Sequence, residues 1–292
     1  MDTDYFKHKG INFASLIYTQ ERFEFLENEF QVLDDDVYIV TYPKSGTNWV
    51  MEIMSLIHRN GDFTWCQEVP NFVRIPWLDV SGEGQKLVDE CKSPRLFSTH
   101  LPVQFFPKSL LSSKAKVIYT ARNPKDVLVS LYHFAHMTYV IKKPNSFEEF
   151  MEDFLQGRLP FGSWFDHIKG WIQMKDKCNF LFLTYEDLKK DIRGAVKTIS
   201  TFLGKELNEQ TIDLVVEHSS FSSMKANKMS NNSLAPETVM NPKKNNFLRK
   251  GIIGDWKNHF MEKQSEHMDT IYREKMKDLN IKFTWDEIED HL

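Results

Sequence analysis

The chain has 292 residues, with 37 Lys and Arg against 41 Asp and Glu, giving a formal net charge of −4. Hydrophobic residues make up 41% and charged residues 27%, which excludes a mainly disordered chain, and the acidic balance argues against a dedicated nucleic-acid binder. Any anion site must be local, and the 23 Phe, 9 Tyr and 7 Trp predict a large core and an aromatic-lined pocket. The three cysteines, Cys66, Cys91 and Cys178, form no CxxC pair and fit reduced thiols in a reducing compartment. The N-terminal MDTDYFKHKGINF is charged and lacks the apolar run of a signal peptide, and no apolar stretch is long enough to span a membrane. The expectation is a cytoplasmic protein.

Along the chain, Val37-Tyr38-Ile39-Val40-Thr41-Tyr42 reads as a buried strand. It ends at Pro43 and passes through Lys44-Ser45-Gly46-Thr47 into a helical pattern carried by Trp49, Ile53, Leu56 and Ile57. Further strands are predicted over Arg95–Thr99, Lys116–Thr120 and Phe180–Tyr185, with helices from about Pro124 and Glu186. Pro124, two residues past Arg122, suits a first helical turn. Strands alternating with helices predict an α/β fold, a single domain over 1–292 with a central parallel sheet flanked by helices. From about 227 to 248 periodicity is lost over a polar stretch with two prolines, which predicts a mobile loop or lid. Arg249-Lys250-Gly251 follows, and a final amphipathic helix is predicted from about Met261 to Leu279.

The turn at Lys44-Ser45-Gly46-Thr47 joins a strand to a helix N-terminus, where free N–H groups and the positive dipole end attract phosphate or sulfate. Lys44 adds a charge, and Ser45 and Thr47 add hydroxyls; those four residues alone fit an ordinary turn with a solvated lysine equally well. It is not a Walker A turn, because the lysine precedes the only glycine. Arg122, at the end of the next strand but one and followed eight residues later by Ser130, is a second candidate anion site; pairing with Asp126 is the equal alternative. Arg249-Lys250-Gly251 is a third basic element. His100 ends a predicted strand on the same rim, and an imidazole with an ordinary pKa near 6.5 suits a general base. No HExxH, Cys-His pair or GxSxG supports zinc-protease or acyl-transfer chemistry.

TYPKSGTNW (Thr41–Trp49), ARNPKDVLVS (Ala121–Ser130) and RKGIIGDWKNHF (Arg249–Phe260), with GSWFDHIKGW and LTYEDLKKD between them, resemble the cytosolic sulfotransferases over essentially the whole chain. The resemblance implies a P-loop-like strand–turn–helix and 3′-phosphoadenosine 5′-phosphosulfate (PAPS) as sulfuryl donor, leaving 3′,5′-ADP, without a metal. It implies that Lys44, Ser45, Gly46, Thr47, Asn48 and Trp49 hold the phosphosulfate, with Trp49 also against adenine. Arg122, Ser130, Arg249, Lys250 and Gly251 match positions that hold the 3′-phosphate, and Tyr185 matches an adenine contact. Ser219, Phe221 and Met224 match the segment whose phenylalanine stacks on the other adenine face. The implied reaction is in-line displacement: His100 takes the acceptor proton, Lys44 stabilises the leaving oxygen, and Ser130 restrains Lys44.

Phenol-type relatives carry a lysine two positions before this histidine, where Ser98 stands here. That position and DYFKHKGINF resemble the hydroxysteroid, alcohol and amine branches, which favours a steroid, alcohol or amine acceptor over a phenol. By family position the acceptor pocket would draw on Phe13, Ile17, Trp77, Phe134 and Tyr139. Relatives dimerise through KxxxTVxxxE; here Met261 and Glu262 replace Thr-Val between Lys257 and Glu266, which predicts a monomer or weak homodimer. An ATP- or GTP-dependent kinase would share a phosphate turn but lacks the Walker A spacing here. A small-ligand carrier without turnover is the non-enzymatic alternative, opposed by the presence of both His100 and Lys44.

Overall fold

The computed structural model describes residues 3–241 and 247–289. A short antiparallel hairpin opens it, β1 (Tyr5–His8) and β2 (Ile11–Ala14), closed by Lys9 and Gly10, both at positive φ. That is the backbone a two-residue hairpin turn requires. The hairpin and α1 (Gln20–Asn28) precede β3 (Val37–Thr41), which runs into α2 (Thr47–His58). Short helices α3 (Thr64–Glu68), α4 (Asn71–Arg74) and α5 (Glu83–Asp89) lead to β4 (Leu96–Thr99). β5 (Lys116–Ala121) then feeds α6 (Pro124–Ala135), followed by α7 (Phe147–Leu155) and α8 (Trp164–Ile172). β6 (Asn179–Thr184) passes directly into α9 (Tyr185–Lys190), then α10 (Ile192–Leu203), α11 (Glu209–His218) and α12 (Phe221–Ala226). After a long connection come α13 (Glu262–Met276) and α14 (Thr284–Glu289).

β4, β3, β5 and β6 form one parallel sheet in that order. Helices cover both faces, so both faces are apolar. On one side Tyr38, Val40, Val117 and Tyr119 join an aromatic-rich core with Phe97, Phe106 and Trp171. On the other, Val37, Ile39 and Ile118 pack with Ile53, Leu56 and Ile57 of α2 and with Val196 and Ile199 of α10. The alternation along β3 and β5 follows the two-residue repeat of a strand, and burial on both sides is what makes these strands continuous apolar runs. The fold class is the one predicted, and the four sheet strands lie within a residue of their predicted ends.

Strand order places the crevice. β3 connects towards β4 on one side while β5 connects towards β6 on the other, so the chain diverges between β3 and β5. Open α/β sheets bind ligands outside the carboxyl ends of the strands at such a point. The four strands end at Thr41, Thr99, Ala121 and Thr184, with Lys44 three residues past the first and His100, Arg122 and Tyr185 directly after the others.

Part of the segment predicted as a mobile loop makes side-chain and backbone contacts with the rest of the fold. Asn227 Nδ2 donates to the Cys66 carbonyl, and the Ser230 hydroxyl, fully buried, donates to Glu52. Buried Met240 forms an isolated bridge with Thr138. The part of that prediction falling on 242–246 lies outside the described residues.

Candidate active site

The turn after β3 is built for close approach. Lys44 sits at φ 70° and Gly46 at φ 101°. The left-handed conformation costs a non-glycine residue about 1–3 kcal/mol, a strain that surroundings must hold in place. At Gly46 a Cβ would stand 2.9 Å from the Tyr185 ring, so only glycine lets β3 turn this sharply over the start of α9. No side chain caps α2 at Gly46, whereas α6, α7, α8 and α9 all carry side-chain caps. The α2 N-terminus is thereby left open to an anion.

Arg122 crosses the crevice between β3 and β5. Its Nη1 donates to the Lys44 carbonyl at 3.2 Å and its Nη2 to the Ile252 carbonyl at 3.1 Å, while the guanidinium lies 4.3 Å over the Tyr185 ring. The Trp49 ring meets Tyr185 edge-on at 5.3 Å. Lys44, Gly46, Trp49, Arg122 and Tyr185 thus share one corner. Arg122 does not pair with Asp126, the alternative its sequence left open. Asp126 instead accepts the backbone N–H groups of Gly254 and Trp256.

The C-terminal basic segment closes the same corner. Arg249 and Lys250 ion-pair with Asp255 at 2.6 and 2.5 Å. Burial would raise the Asp255 carboxyl, but hydrogen bonds from Lys250 and Arg249 outweigh it and hold the group well below the usual carboxylate range. Gly251, at φ 65°, lies under the Phe221 ring, where a Cβ would come within 2.2 Å. Ser219 and Met224, both buried, flank Phe221 along the chain. Among the buried polar atoms without a protein partner around this corner are Ser45 Oγ, Trp49 Nε1, Arg122 Nε and Ser219 Oγ. Buried donors of this kind need partners, and three hydroxyl or ring N–H groups with a guanidinium suit a polyanionic nucleotide. The residues fit the group.

His100 stands at the end of β4. Its Nδ1 lies 2.7 Å from the Thr41 carbonyl, which can only accept, so Nδ1 carries the proton and Nε2 is the free base. Thr41 Oγ1 also reaches Nδ1 at 3.1 Å and Thr47 Oγ1 at 2.6 Å, which ties the histidine to the phosphate turn. Burial, chiefly, pushes the His100 imidazole down to about 3, with smaller contributions from His167 and Lys44. Burial first, then the charges of Arg122 and Arg249, lower the Lys44 ammonium to about 7.

Lys44 Nζ lies 4.3 Å from the Phe134 ring and 3.9 Å from Phe247, two rings that meet edge-on. Ser130 stands one turn before Phe134 on α6, so the two share a helix face. The bond expected from Ser130 to Lys44 is absent among the described residues, and the rings hold the ammonium instead. Of the pocket candidates, Trp77 packs on His100 with ring centres 4.6 Å apart. Phe13 is fully buried against Phe23, Phe105 and Phe161, and Phe161 in turn faces His100 edge-on at 5.3 Å. Ile17 is half-buried beside that cluster. Tyr139 donates its N–H to the Val239 carbonyl at 2.8 Å. Ser98 is fully buried, donating to the Ile75 carbonyl at 3.3 Å and bridging Trp77, so it shapes the wall that carries Trp77.

Three residues here were given no role from the sequence, Thr41, His167 and Phe247, and Asp126 entered only as a possible partner of Arg122. His167 is buried; Nε2 donates to the His100 carbonyl at 3.0 Å and Nδ1 accepts from the Tyr119 hydroxyl at 2.8 Å. It lies inside GSWFDHIKGW, a motif that signalled family but not position. Among the described residues no three His, Cys, Asp or Glu side chains group as a metal site would require.

A family model described as "Sulfotransferase domain" matches residues 34–280. Sulfotransferase 2B1 of Mus musculus is 49% identical over 287 residues, covering 98% of this chain and 84% of that protein. The 3-beta-hydroxysteroid sulfotransferase of Cavia porcellus is 47% identical over 280 residues, covering 96% of this chain and 97% of that protein. The crystal structure of retinol dehydratase in complex with androsterone and inactive cofactor PAP superposes with a TM-score of 0.84 at 25% identity, covering 97% of this chain and 92% of that one. The chain belongs to the sulfotransferase family, and it is an enzyme of the PAPS-dependent class.

Proposed function

We propose that this sulfotransferase transfers a sulfuryl group from PAPS to a hydroxyl or amine of a small, largely apolar acceptor, with a hydroxysteroid as the foremost candidate. The observation that carries the reading is the fixed tautomer of His100: its Nδ1–H is committed to the Thr41 carbonyl, and Nε2 remains to take an acceptor proton on the same rim as Lys44. The donor, when bound, supplies the sulfuryl group and a phosphate leaving group. Lys44 to Trp49 would hold its phosphosulfate end. Arg122, Ser130, Arg249, Lys250 and Gly251 would hold the 3′-phosphate, and Trp49, Tyr185 and Phe221 the adenine, with Ser219 and Met224 behind it. The orphaned Ser45 Oγ, Trp49 Nε1, Arg122 Nε and Ser219 Oγ support this placement. Lys44 would place its charge against the oxygen on which negative charge develops, a role that contributes about 3–4 kcal/mol when a donor is preorganised. The reading assigns no metal a part.

Acceptor class is supported from two sides. The Cavia porcellus relative is named for a 3-beta-hydroxysteroid, and the retinol dehydratase structure holds androsterone. Trp77 and Phe161, both against His100, offer flat apolar walls to such a skeleton. Phe13 and Ile17 would back this wall, and Phe134 and Tyr139 would bound the pocket on the side of the segment that follows α12, whose movement would admit acceptors. A monomer or weak homodimer is the proposed assembly, and the three free thiols support a cytoplasmic setting.

The test is transfer of labelled sulfate from PAPS, without added magnesium, to a panel of a 3-hydroxysteroid, an aliphatic alcohol, an arylamine and a phenol. The steroid is expected to be labelled best, and His100→Ala to lose transfer by at least 100-fold while still binding 3′,5′-ADP. A phenol labelled best would overturn the acceptor assignment. Undiminished transfer by His100→Ala would overturn the base. Tight nucleotide binding with no transfer to anything would move the chain to the carrier reading.

A further inference from the structure

We propose that Asp126 is a positioning residue that joins the two halves of the 3′-phosphate cradle, an inference that rests on the nucleotide reading above. The halves come from distant parts of the chain. Arg122 and Ser130 belong to the turn before α6 and to α6 itself; Arg249, Lys250 and Gly251 lie on a segment that reaches α13 with only a short 3₁₀ turn at Asp255–Asn258. Nothing in regular secondary structure sets the distance between them.

Asp126 does. It sits in the first turn of α6, 2% exposed, and its two carboxylate oxygens accept separate backbone N–H groups: Oδ2 from Gly254 at 2.7 Å and Oδ1 from Trp256 at 3.0 Å. The residue between those two amides is Asp255, 1% exposed, whose carboxylate takes Lys250 at 2.5 Å, Arg249 at 2.6 Å and the Asn258 amide at 3.0 Å. Asp126 thereby fixes the turn, the turn fixes Asp255, and Asp255 fixes the two cations. Arg122 adds a third tie through its bond to the Ile252 carbonyl, and Lys125 lies 4.1 Å over the Trp256 ring. A buried carboxylate accepting two backbone donors makes strong, short charge-assisted bonds, and a negative charge in a first helical turn also favours the α6 dipole. Asp126 itself would touch no nucleotide. Its effect would be to hold Arg249 and Lys250 across from Arg122 at a spacing that one phosphate can bridge.

Asparagine keeps the shape but offers one acceptor, so its amide would face one of the two N–H donors. The experiment compares binding of 3′,5′-ADP and 5′-AMP, which differ by the 3′-phosphate, to the wild type, Asp126→Asn, Arg249→Ala and the double variant by calorimetry. Asp126→Asn is expected to lose at least 10-fold in affinity for 3′,5′-ADP and less than twofold for 5′-AMP. In the Arg249→Ala background the same substitution is expected to cost less than it does in the wild type, because one of the two cations it positions is already gone. Equal weakening of both nucleotides, or an unchanged preference for 3′,5′-ADP, would overturn the inference. A wild type with no preference for 3′,5′-ADP would instead overturn the nucleotide reading beneath it. Should Asp126→Asn not fold, Asp255→Asn reads the next link: a selective loss for 3′,5′-ADP supports the relay, and a wild-type ratio refutes it.

Discussion

At the scale of single residues, burial acts with the proposed chemistry at one of the two groups assigned to it and against it at the other. The His100 ring is kept neutral by burial, down to about 3, and its one proton is directed onto the Thr41 carbonyl. Lys44 is the weaker link, because burial and two neighbouring cations lower it to about 7. The charged form is the one required, so the free enzyme loses it as pH rises through that value. A bound polyanion favours the charged form and moves the titration upward. The expected outcome is that kcat/KM for PAPS, which reports the free enzyme, falls above about pH 7 while kcat holds to higher pH, with neither showing a limb at 6.5. Full pH profiles of both constants check this. Coincident alkaline limbs, or a rate that halves near pH 6.5, would remove Lys44 or His100 from its role. Stability carries a linked sign. His100, His167 and His133, the last two lowered to about 4 mainly by burial, are depressed below the unfolded value. As pH falls from about 6.5 towards 4, the unfolded chain takes protons the folded chain refuses, and stability drops.

At the scale of elements, α2 is anchored beneath the site by a buried ion pair on its inner face. Glu52 and Arg74 are both fully buried and meet at 2.6 Å. Arg74 also reaches Cys66 Sγ at 2.8 Å and the Val69 carbonyl at 3.0 Å, and Ser230 donates to Glu52 at 2.8 Å. One turn earlier on the same helix, Asn48 donates to Asn232 at 3.0 Å. The helix that begins at the phosphate turn is therefore joined at two points to the loop that starts after α12. Glu52→Ala would leave the Arg74 guanidinium buried without its counter-charge, a change that costs about 3–5 kcal/mol. Urea denaturation at neutral pH measures it, with the midpoint falling at unchanged m-value. A loss under about 1 kcal/mol would mean that water or another group takes over the pair. This network was not legible in the sequence. Its members are up to 184 residues apart, and Glu52 reads as one more polar residue on an amphipathic helix. The strand ends were legible for the opposite reason: a strand buried on both faces writes a continuous apolar run, and the glycine, proline and basic residues that follow mark where it stops. The β1–β2 hairpin escaped because its strands are four residues each and its Lys9-Gly10 turn lacks an Asn-Gly signal.

At the scale of the molecule, the candidate site was legible where one short segment carries the chemistry and illegible where two segments must meet. Lys44 to Trp49 and His100 announce themselves at strand ends. The bond from Asp126 to Gly254 spans 128 residues, and Phe247 over Lys44 depends on how the chain returns after the described part of the loop. Assembly poses the same problem between molecules. Met261 is 63% exposed and Glu262 is exposed beside it, at the head of α13, with Ile252 and Ile253 at 43% and 39% on the segment before. The apolar residues would favour a contact between copies. In a two-fold contact, however, each Glu262 would meet its own symmetry mate, and desolvating unpaired carboxylates costs on the order of several kcal/mol, more than a patch this small returns. On this proposal the carboxylate is expected to decide the outcome. Sedimentation from about 1 to 100 μM is expected to show one chain's mass at low concentration, with at most a weak rise at the top. Glu262→Val with Met261→Thr, which removes the charge and restores the small apolar pair, is expected to shift the chain towards a dimer across that range. A wild-type dimer mass independent of concentration, or a double variant that stays monomeric, would show that some other surface sets the assembly.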